Sequence, residues 1–349
     1  MNHGVRRSFF LRHWLRGPHV RIHVWCDSDT WRNQAQPRTA AVIGEYLRQH
    51  PSRATLDPEQ ELRAHTTLAE LESEHGTLAP WFPDNSVQYL PYDRRLHVLG
   101  MSEAADLLAD FHVQTTPLAF RILAEQPAGS PRLGALLSLM FASAQIGCPP
   151  ISSGYLSYRS HAEGFFANCA DPDGTRSRFE SRYQANREQL AEHMRAAISV
   201  ADDDAQLGTG EIADVPYLSE WSAIARTFLA AAERLVSDGK LSLPGLHSTD
   251  QVEQRLGRGL RNISEFHEAL YANENVLRVL GSGSWFDVYR VLLNYQYMFF
   301  SRLGLSPPNK FLLCHLAART VEETHDVTLN KVLDLLEATP TAWSAPRLR

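Results

Sequence analysis

The stretch Ser8–Trp25, SFFLRHWLRGPHVRIHVW, sets the strongest constraint on what this chain can fold into. Two runs of alternating apolar and polar residues flank Leu15–Pro18, whose glycine and proline favour a turn, so the stretch predicts two paired strands. Successive side chains on a strand point to opposite faces. Val20, Ile22 and Val24 therefore take one face of the second strand, and His19, Arg21 and His23 share the other. Such a row fits a solvated sheet face, and it also fits a surface that holds an anion or a carbonyl oxygen.

The rest of the chain reads differently. A polar loop over Cys26–Arg38 leads to a helical pattern that opens at Thr39, places Val42, Ile43, Tyr46 and Leu47 on one side and ends at Pro51. Asp57-Pro58-Glu59 has the form of a helix start, and Val87–Leu90 reads as a short strand between turns. Ser102 starts a helix carrying Leu107, Leu108 and Phe111, which Pro117 kinks or restarts. An apolar central helix follows over Leu133–Ile146, then a break at Gly147–Gly154, a turn at Asp171–Gly174 and a long charged helix over Arg178–Val200. Beyond the loop Asp202–Asp214, the one plausible linker, helical patterns cover Tyr217–Asp238, Asp250–Leu270, Trp285–Gly304 and Lys310–Glu323. Without βαβ alternation or a fixed repeat, the class is α+β: an antiparallel sheet near the N-terminus packed with a helix-rich remainder. Residues 1–349 are expected to form one unit, with sheet plus helices over 1–200 and a helical part over 215–349.

Charge and cysteine usage narrow the functional classes. Lys plus Arg is 34 against 40 for Asp plus Glu, a net charge of −6, which argues against nucleic acid as the main partner. Arg6, Arg7, Arg12, Arg16 and Arg21 nevertheless crowd the start of the chain, a local patch able to attract an acidic peptide. Cys26, Cys148, Cys169 and Cys314 are scattered, with no metal-ligand spacing, and read as reduced thiols of a cytoplasmic protein. Arg12 and His13 cut the only candidate signal-peptide core, and the longest weakly polar run, Leu133–Gly147, is shorter than the roughly 20 residues a membrane span needs. Gly281-Ser-Gly283-Ser lacks the third glycine and the lysine of nucleotide loops and reads as a helix entry capped by Ser284. No HExxH or GxSxG occurs, and nothing implies a metal or an organic cofactor.

The helix Trp285–Gly304 is mostly apolar. Asp287, Arg290 or Val291, Asn294, Tyr297 or Met298, and Ser301 recur along one side of it at helical spacing. A polar stripe on a buried helix needs hydrogen-bond partners, supplied by neighbouring loops or by the contents of a cavity. Tyr297 taken by itself reads first as a core tyrosine with a satisfied hydroxyl.

Four fragments, in order, carry a family resemblance. FFLRHWLRGPHVRIHVW resembles the opening of the elimination domain of lantibiotic dehydratases, which runs approximately FFIRY and then GPHLRLRF. Tyr89–Arg95 resembles its YEPExxR, Leu107–Phe111 its LAxxLF-like helix, and Tyr297–Gly304 its HMxxNRLxG. In that family two strand arginines, the glutamate and arginine of YEPExxR and the histidine of HMxxNR remove glutamate from glutamyl-Ser/Thr. Arg21 and Arg95 stand at arginine positions here, but His23 replaces the second strand arginine, Tyr92 the glutamate and Tyr297 the histidine. These exchanges remove charge that a glutamate-eliminating site relies on.

The pattern is similar to the standalone pyridine synthases of thiopeptide biosynthesis, a branch of the same family. The resemblance implies a linear ribosomal peptide, bearing azoles, dehydroalanines and a leader, as substrate. Two distant dehydroalanines join by formal [4+2] aza-cycloaddition; loss of water and of the leader then leaves a pyridine-centred macrocycle. Such a site must hold a minor iminol tautomer, a task for neutral groups that both donate and accept. On this reading Tyr297 donates to or orients the iminol oxygen, with His23 and Tyr92 as partners. Arg21, Arg95 and His19 hold carbonyl oxygens or departing groups, and Asn294 and Asp287 line the same cavity. It requires the phenol and imidazole segments to face one another across one arginine-lined chamber. Two rival readings use the same scaffold: a split glutamate-elimination lyase, and a non-catalytic subunit that binds the leader peptide.

Overall fold

The computed structural model describes residues 4–72, 74–203, 216–241, 243, 262–277 and 284–338. The chain divides into two compact units, Met1–Ala105 and Asp106–Arg349.

In the first unit, strands β1 (Arg7–His13) and β2 (His19–Trp25) pair antiparallel, with Phe9 opposite His23, Leu11 opposite Arg21 and His13 opposite His19. The intervening turn needs Gly17, whose φ of +94° disfavours side chains and whose Cβ would meet the Trp81 ring at 3.2 Å. The hairpin is turned against the ordinary hydropathy rule. Val20 and Ile22 are 60% and 51% exposed, whereas Phe9 is buried and His13, His19, Arg21 and His23 are half-buried. Aromatic neighbours account for the inversion: His23 and Trp25 pack edge-on against Tyr92, with ring centres 5.1 and 4.9 Å apart, and His19 meets Phe82 at 6.0 Å. The solvated-face reading of His19, Arg21 and His23 is thus replaced by a half-buried one.

The segment expected to be a polar loop, Cys26–Arg38, is helical from Ser28. Asp27 caps it, accepting from the Asp29 and Thr30 amides at 3.1 and 2.8 Å. A turn at Ser28–Thr30 passes through a π-helical turn, Trp31–Ala35, into α1 (Gln36–Gln49). Pro37 brings no amide to this continuous helix, and the wider turn just before it is where the ladder adjusts. Val42 and Tyr46, on the predicted apolar side of α1, are 63% and 61% exposed. Helix α2 (Pro58–Glu72) starts where Asp57-Pro58-Glu59 places it, with the Asp57 carboxylate accepting from the Glu59 amide at 2.9 Å. Val87–Leu90 is not a strand; flanked by Pro83 and Pro91 it stays irregular, and the Tyr89 hydroxyl donates to Gln36 O at 3.4 Å. A single helical turn, α3 (Leu96–Leu99), follows.

The second unit is helical. Helix α4 (Ser102–Gln114), whose first residues belong to the first unit, is followed by α5 (Thr116–Glu125), restarted by Pro117. The central helix α6 (Ser130–Gly147) is buried along most of its last twelve residues. Helix α7 (Ile151–Asn168) has no counterpart among the sequence expectations. Helix α8 (Pro172–Asp203) absorbs the expected turn at Asp171–Gly174, because Asp171 accepts from the Gly174 amide at 3.0 Å and so begins the helix. Then come α9 (Leu218–Ser237), α10 (Glu265–Tyr271), α11 (Ser284–Arg302), α12 (Pro307–His325) and α13 (Leu329–Ala338). Helix α10 is shorter than the expected Asp250–Leu270: residues 262–264 are not helical and 250–261 lie outside the described residues, as do nearly all of the expected linker and Gly281–Gly283.

Aromatic packing ties α4, α9 and α11 together. Phe111 meets Tyr295 at 4.9 Å and Phe228 at 5.2 Å, and Trp221, stacked on Phe299 at 5.2 Å, donates its indole N–H to Ser143 Oγ on α6 at 2.9 Å. The buried Arg302 guanidinium ends α11 by donating to His112 O at 3.2 Å and to the Thr115 and Thr116 hydroxyls at 2.8 and 2.6 Å. Those are the groups exposed by the break between α4 and α5. No described helix is long and apolar enough to cross a membrane.

Candidate functional site

The inner face of the hairpin is a row of neutral imidazoles around a guanidinium. Gly17 O can only accept, so its 2.7 Å partner His19 Nδ1 carries the proton; Nε2 is then the lone pair that accepts from Arg21 Nε at 3.0 Å. His13 has the other tautomer, because its Nδ1 accepts the Leu15 amide at 3.0 Å. Burial, reinforced by Arg21, holds His13 down to about 3 and His23 down to about 4, and burial also lowers His19. All three rings are uncharged at neutral pH. His23 stacks on Phe9 at 4.5 Å, and its Nε2 is buried with no hydrogen-bond partner among the described residues.

Carboxylates balance the cations of this face. Burial pushes Arg21 down while Glu74 and Asp93 oppose the shift, and Arg95 lies 3.9 Å from Glu74. Arg95 sits in the left-handed region at φ +50°, its amide held by Asp93 Oδ1 at 2.8 Å. His19, Arg21, His23, Tyr92 and Arg95 therefore belong to one neighbourhood of the first unit, linked through the Arg21 and Tyr92 contacts. It can hold carbonyl oxygens with guanidinium donors and exchange hydrogen bonds through neutral rings.

In the second unit the polar stripe of α11 is resolved. Asp287, Arg290, Asn294, Tyr297, Met298 and Ser301 are half-buried or exposed, while Val291 is buried. Asp287 accepts from Arg290 at 3.1 Å. Ten residues separate Asp287 from Tyr297, about 15 Å along the helix, so these two share no small site. Asn294 lies one turn from Tyr297 and is exposed.

Tyr297 is the centre of a second cluster. Its hydroxyl lies 3.3 Å from Cys314 Sγ and 3.5 Å from His161 Nδ1, and its ring meets His161 edge-on at 5.3 Å. Burial raises the phenol far above its usual range and the Cys314 thiol to about 11, so both keep their protons. His161 gives its Nδ1 proton to Ser157 O at 2.6 Å, which leaves Nε2 as the basic nitrogen; burial and then Lys310 hold it down to about 4. Lys310 Nζ lies 5.2 Å from the centre of the Tyr297 ring and 4.3 Å from that of Phe311.

Residues 1–321 match the family described as lantibiotic biosynthesis dehydratase C-term. The chain belongs to this family. The structure is similar to "Pyridine synthase, TbtD, from thiomuracin biosynthesis", with a TM-score of 0.70 and 28% identity over 94% of this chain and 91% of that one. It shares its fold with TsrL at a TM-score of 0.65 and 23% identity, covering 95% of this chain and 88% of TsrL. No curated protein sequence matches significantly.

Within this member of the lantibiotic dehydratase C-terminal family, sequence reading missed His13, His161, Lys310 and Cys314. His13 follows from the register, which sets it opposite His19. His161 sits on the unpredicted α7, although Ile151, Tyr155, Tyr158, Ala162 and Phe166 recur there at helical spacing and are all buried. Lys310 and Cys314 lie one turn apart on α12 and carried no signal beyond that spacing. No group of three or more His, Cys, Asp or Glu side chains able to hold a metal occurs among the described residues.

Proposed function

We propose that this chain is a thiopeptide pyridine synthase: it joins two dehydroalanines of an azole-containing ribosomal peptide by formal [4+2] aza-cycloaddition, then expels water and the leader peptide. The observation that carries the reading is the 28% identity with TbtD across nearly the full length of both chains. The residue exchange adds to it, because His23, Tyr92 and Tyr297 replace charged groups with neutral ones.

The chemistry divides into holding and proton transfer. A 2-azadiene is the iminol form of an amide, so a proton must move from nitrogen to oxygen and the minor tautomer must be held. In this reading the Tyr297 phenol, kept protonated by burial, donates at the iminol oxygen. Arg21 and Arg95 hold carbonyl oxygens or the departing carboxamide and hydroxyl, while His19 keeps the Arg21 guanidinium in place through its 3.0 Å hydrogen bond. His23 Nε2, without a partner among the described residues, and the adjacent Tyr92 supply exchangeable neutral hydrogen bonds. Asn294 and Asp287 line the substrate's course along α11. Bringing two distant alkenes together is an entropic problem, and well-oriented intramolecular reactions gain up to about 7–11 kcal/mol from that source.

Mass spectrometry of the dehydrated peptide before and after exposure to the protein tests this reading. A shortened cyclic product plus free leader carboxamide supports it. Release of free glutamate from a glutamylated peptide instead identifies an elimination lyase. Tight leader capture with an unchanged core mass identifies a binding subunit.

A further inference from the structure

Lys310 is placed where a lysine costs stability. It lies in the first turn of α12, the positive end of the helix dipole, and the first turn contains no acidic residue. Among the described residues its ammonium has neither an ion pair nor a hydrogen bond; its contacts are the faces of Tyr297 and Phe311. It is half-buried beside Cys314 and His161, with Arg290 a further cation acting on that imidazole. Half-burial strips the ammonium of part of its water, and no carboxylate among the described residues pairs with it.

We propose, resting on the pyridine-synthase reading, that Lys310 is a further catalytic residue of the Tyr297 site, donating the proton that leaves with the hydroxyl group in the dehydration step while His161 Nε2 accepts the ring N–H proton. After the diene and the alkene join, the six-membered adduct holds a C=N bond and carries a hydroxyl on the other carbon next to the ring nitrogen; shift of a proton from the neighbouring ring CH2 to nitrogen gives the enamine tautomer, which bears the N–H. The C–O bond breaks and its electron pair leaves with oxygen, which takes one proton from Lys310 and departs as water. The nitrogen lone pair forms C=N, and the N–H proton passes to His161. Proton exchange from His161 to the Lys310 amine, through solvent, restores both groups. The substrate loses one water and no oxidant or metal is consumed.

The electrostatics suit each role. Burial lowers Lys310 from the usual lysine range, which makes its ammonium a stronger acid. The Nδ1–H of His161 is committed to Ser157 O, so Nε2 is the only nitrogen of that ring able to take a proton. Charge separation is brief, because donor and acceptor both lie against Tyr297.

The test compares wild type, Lys310→Met and Lys310→Arg on a dehydrated azole peptide, with products followed in time by mass spectrometry. Wild type that leaves the peptide unchanged defeats the pyridine-synthase reading itself. If wild type makes pyridine, Lys310→Met should slow it about 100-fold and accumulate a cyclised, leader-bound species isomeric with the substrate, separated from it by chromatography and by its fragmentation in tandem mass spectrometry. Lys310→Arg keeps stem and charge, and so the fold, but is a far weaker acid. It should be similarly slow and lose the fall in wild-type rate at alkaline pH. Wild-type rates in Lys310→Arg, or in a folded Lys310→Met, overturn the assignment.

Discussion

Acid should weaken the imidazole face of the first unit before it touches the carboxylates. An imidazole in an unfolded chain titrates near 6.5. His23 and His13 titrate at about 4 and about 3 in the folded chain, chiefly because both rings are withdrawn from water. Between these values the unfolded chain binds protons that the folded one refuses, so stability falls as pH falls. The stabilisation is fully present above the unfolded value and is lost as the pH drops through 6.5 towards the folded values. At about pH 5 the linkage amounts to about 2 kcal/mol for a fully shielded ring; half-burial reduces the expectation to about 1–1.5 kcal/mol each.

Urea unfolding at about pH 7.5 and about pH 5, followed by tryptophan fluorescence, measures that difference. Trp14, Trp25, Trp31 and Trp81 all report on this unit. His23→Asn removes one titrating ring while keeping a small polar side chain. Its pH difference should shrink by about 1 kcal/mol, whatever the substitution does to stability at neutral pH. A pH difference equal to that of wild type, or a His23 Cε1 resonance that titrates near 6.5, refutes the reasoning.

Arg302→Lys keeps a charge but loses the fork that satisfies His112 O and two threonine hydroxyls, and should cost about 2–4 kcal/mol in thermal unfolding. Gly147→Ala places a methyl 2.5 Å from Tyr289 Cδ2, forcing α6 and α11 apart at a cost of about 1–3 kcal/mol, read by calorimetry. Tyr297→Phe should lower pyridine formation about 100-fold with an unchanged melting curve, and unimpaired turnover would remove the phenol from the chemistry.

The hairpin was legible because a period of two survives any environment, whereas the direction each face points does not. Alternation placed His19, Arg21 and His23 together, but hydropathy sends Val20 and Ile22 inward, and they are exposed. What reversed the outcome lies sixty or more residues away in Phe82 and Tyr92, whose rings pack against His19 and His23. The helix beginning at Ser28 escaped for a related reason. SDTWRNQAQP has no apolar period, and its start depends on one side chain, Asp27, capping two amides. Helix α7, rich in serine, glycine and aromatics, has weak intrinsic helix propensity but is buried along one face by tertiary packing. The polar stripe of α11 was legible down to the choice between Arg290 and Val291, which burial of Val291 decides.

The two residue clusters share a physical logic that a motif alone does not reveal. At both, an imidazole is kept uncharged by burial next to a cation, Arg21 beside His23 and Lys310 beside His161. The cation makes protonating the imidazole more costly, and the imidazole gives the cation no compensating charge. Such a pair is less stable than a salt bridge, but it offers a strong donor and a neutral acceptor together at neutral pH. Replacing the imidazole by a carboxylate would stabilise the fold and quench the donor. A glutamate at position 92, as in the family motif, would form that kind of pair beside His23 and Arg21. Tyrosine there leaves the guanidinium's positive charge uncompensated by this residue and its ring packed on His23.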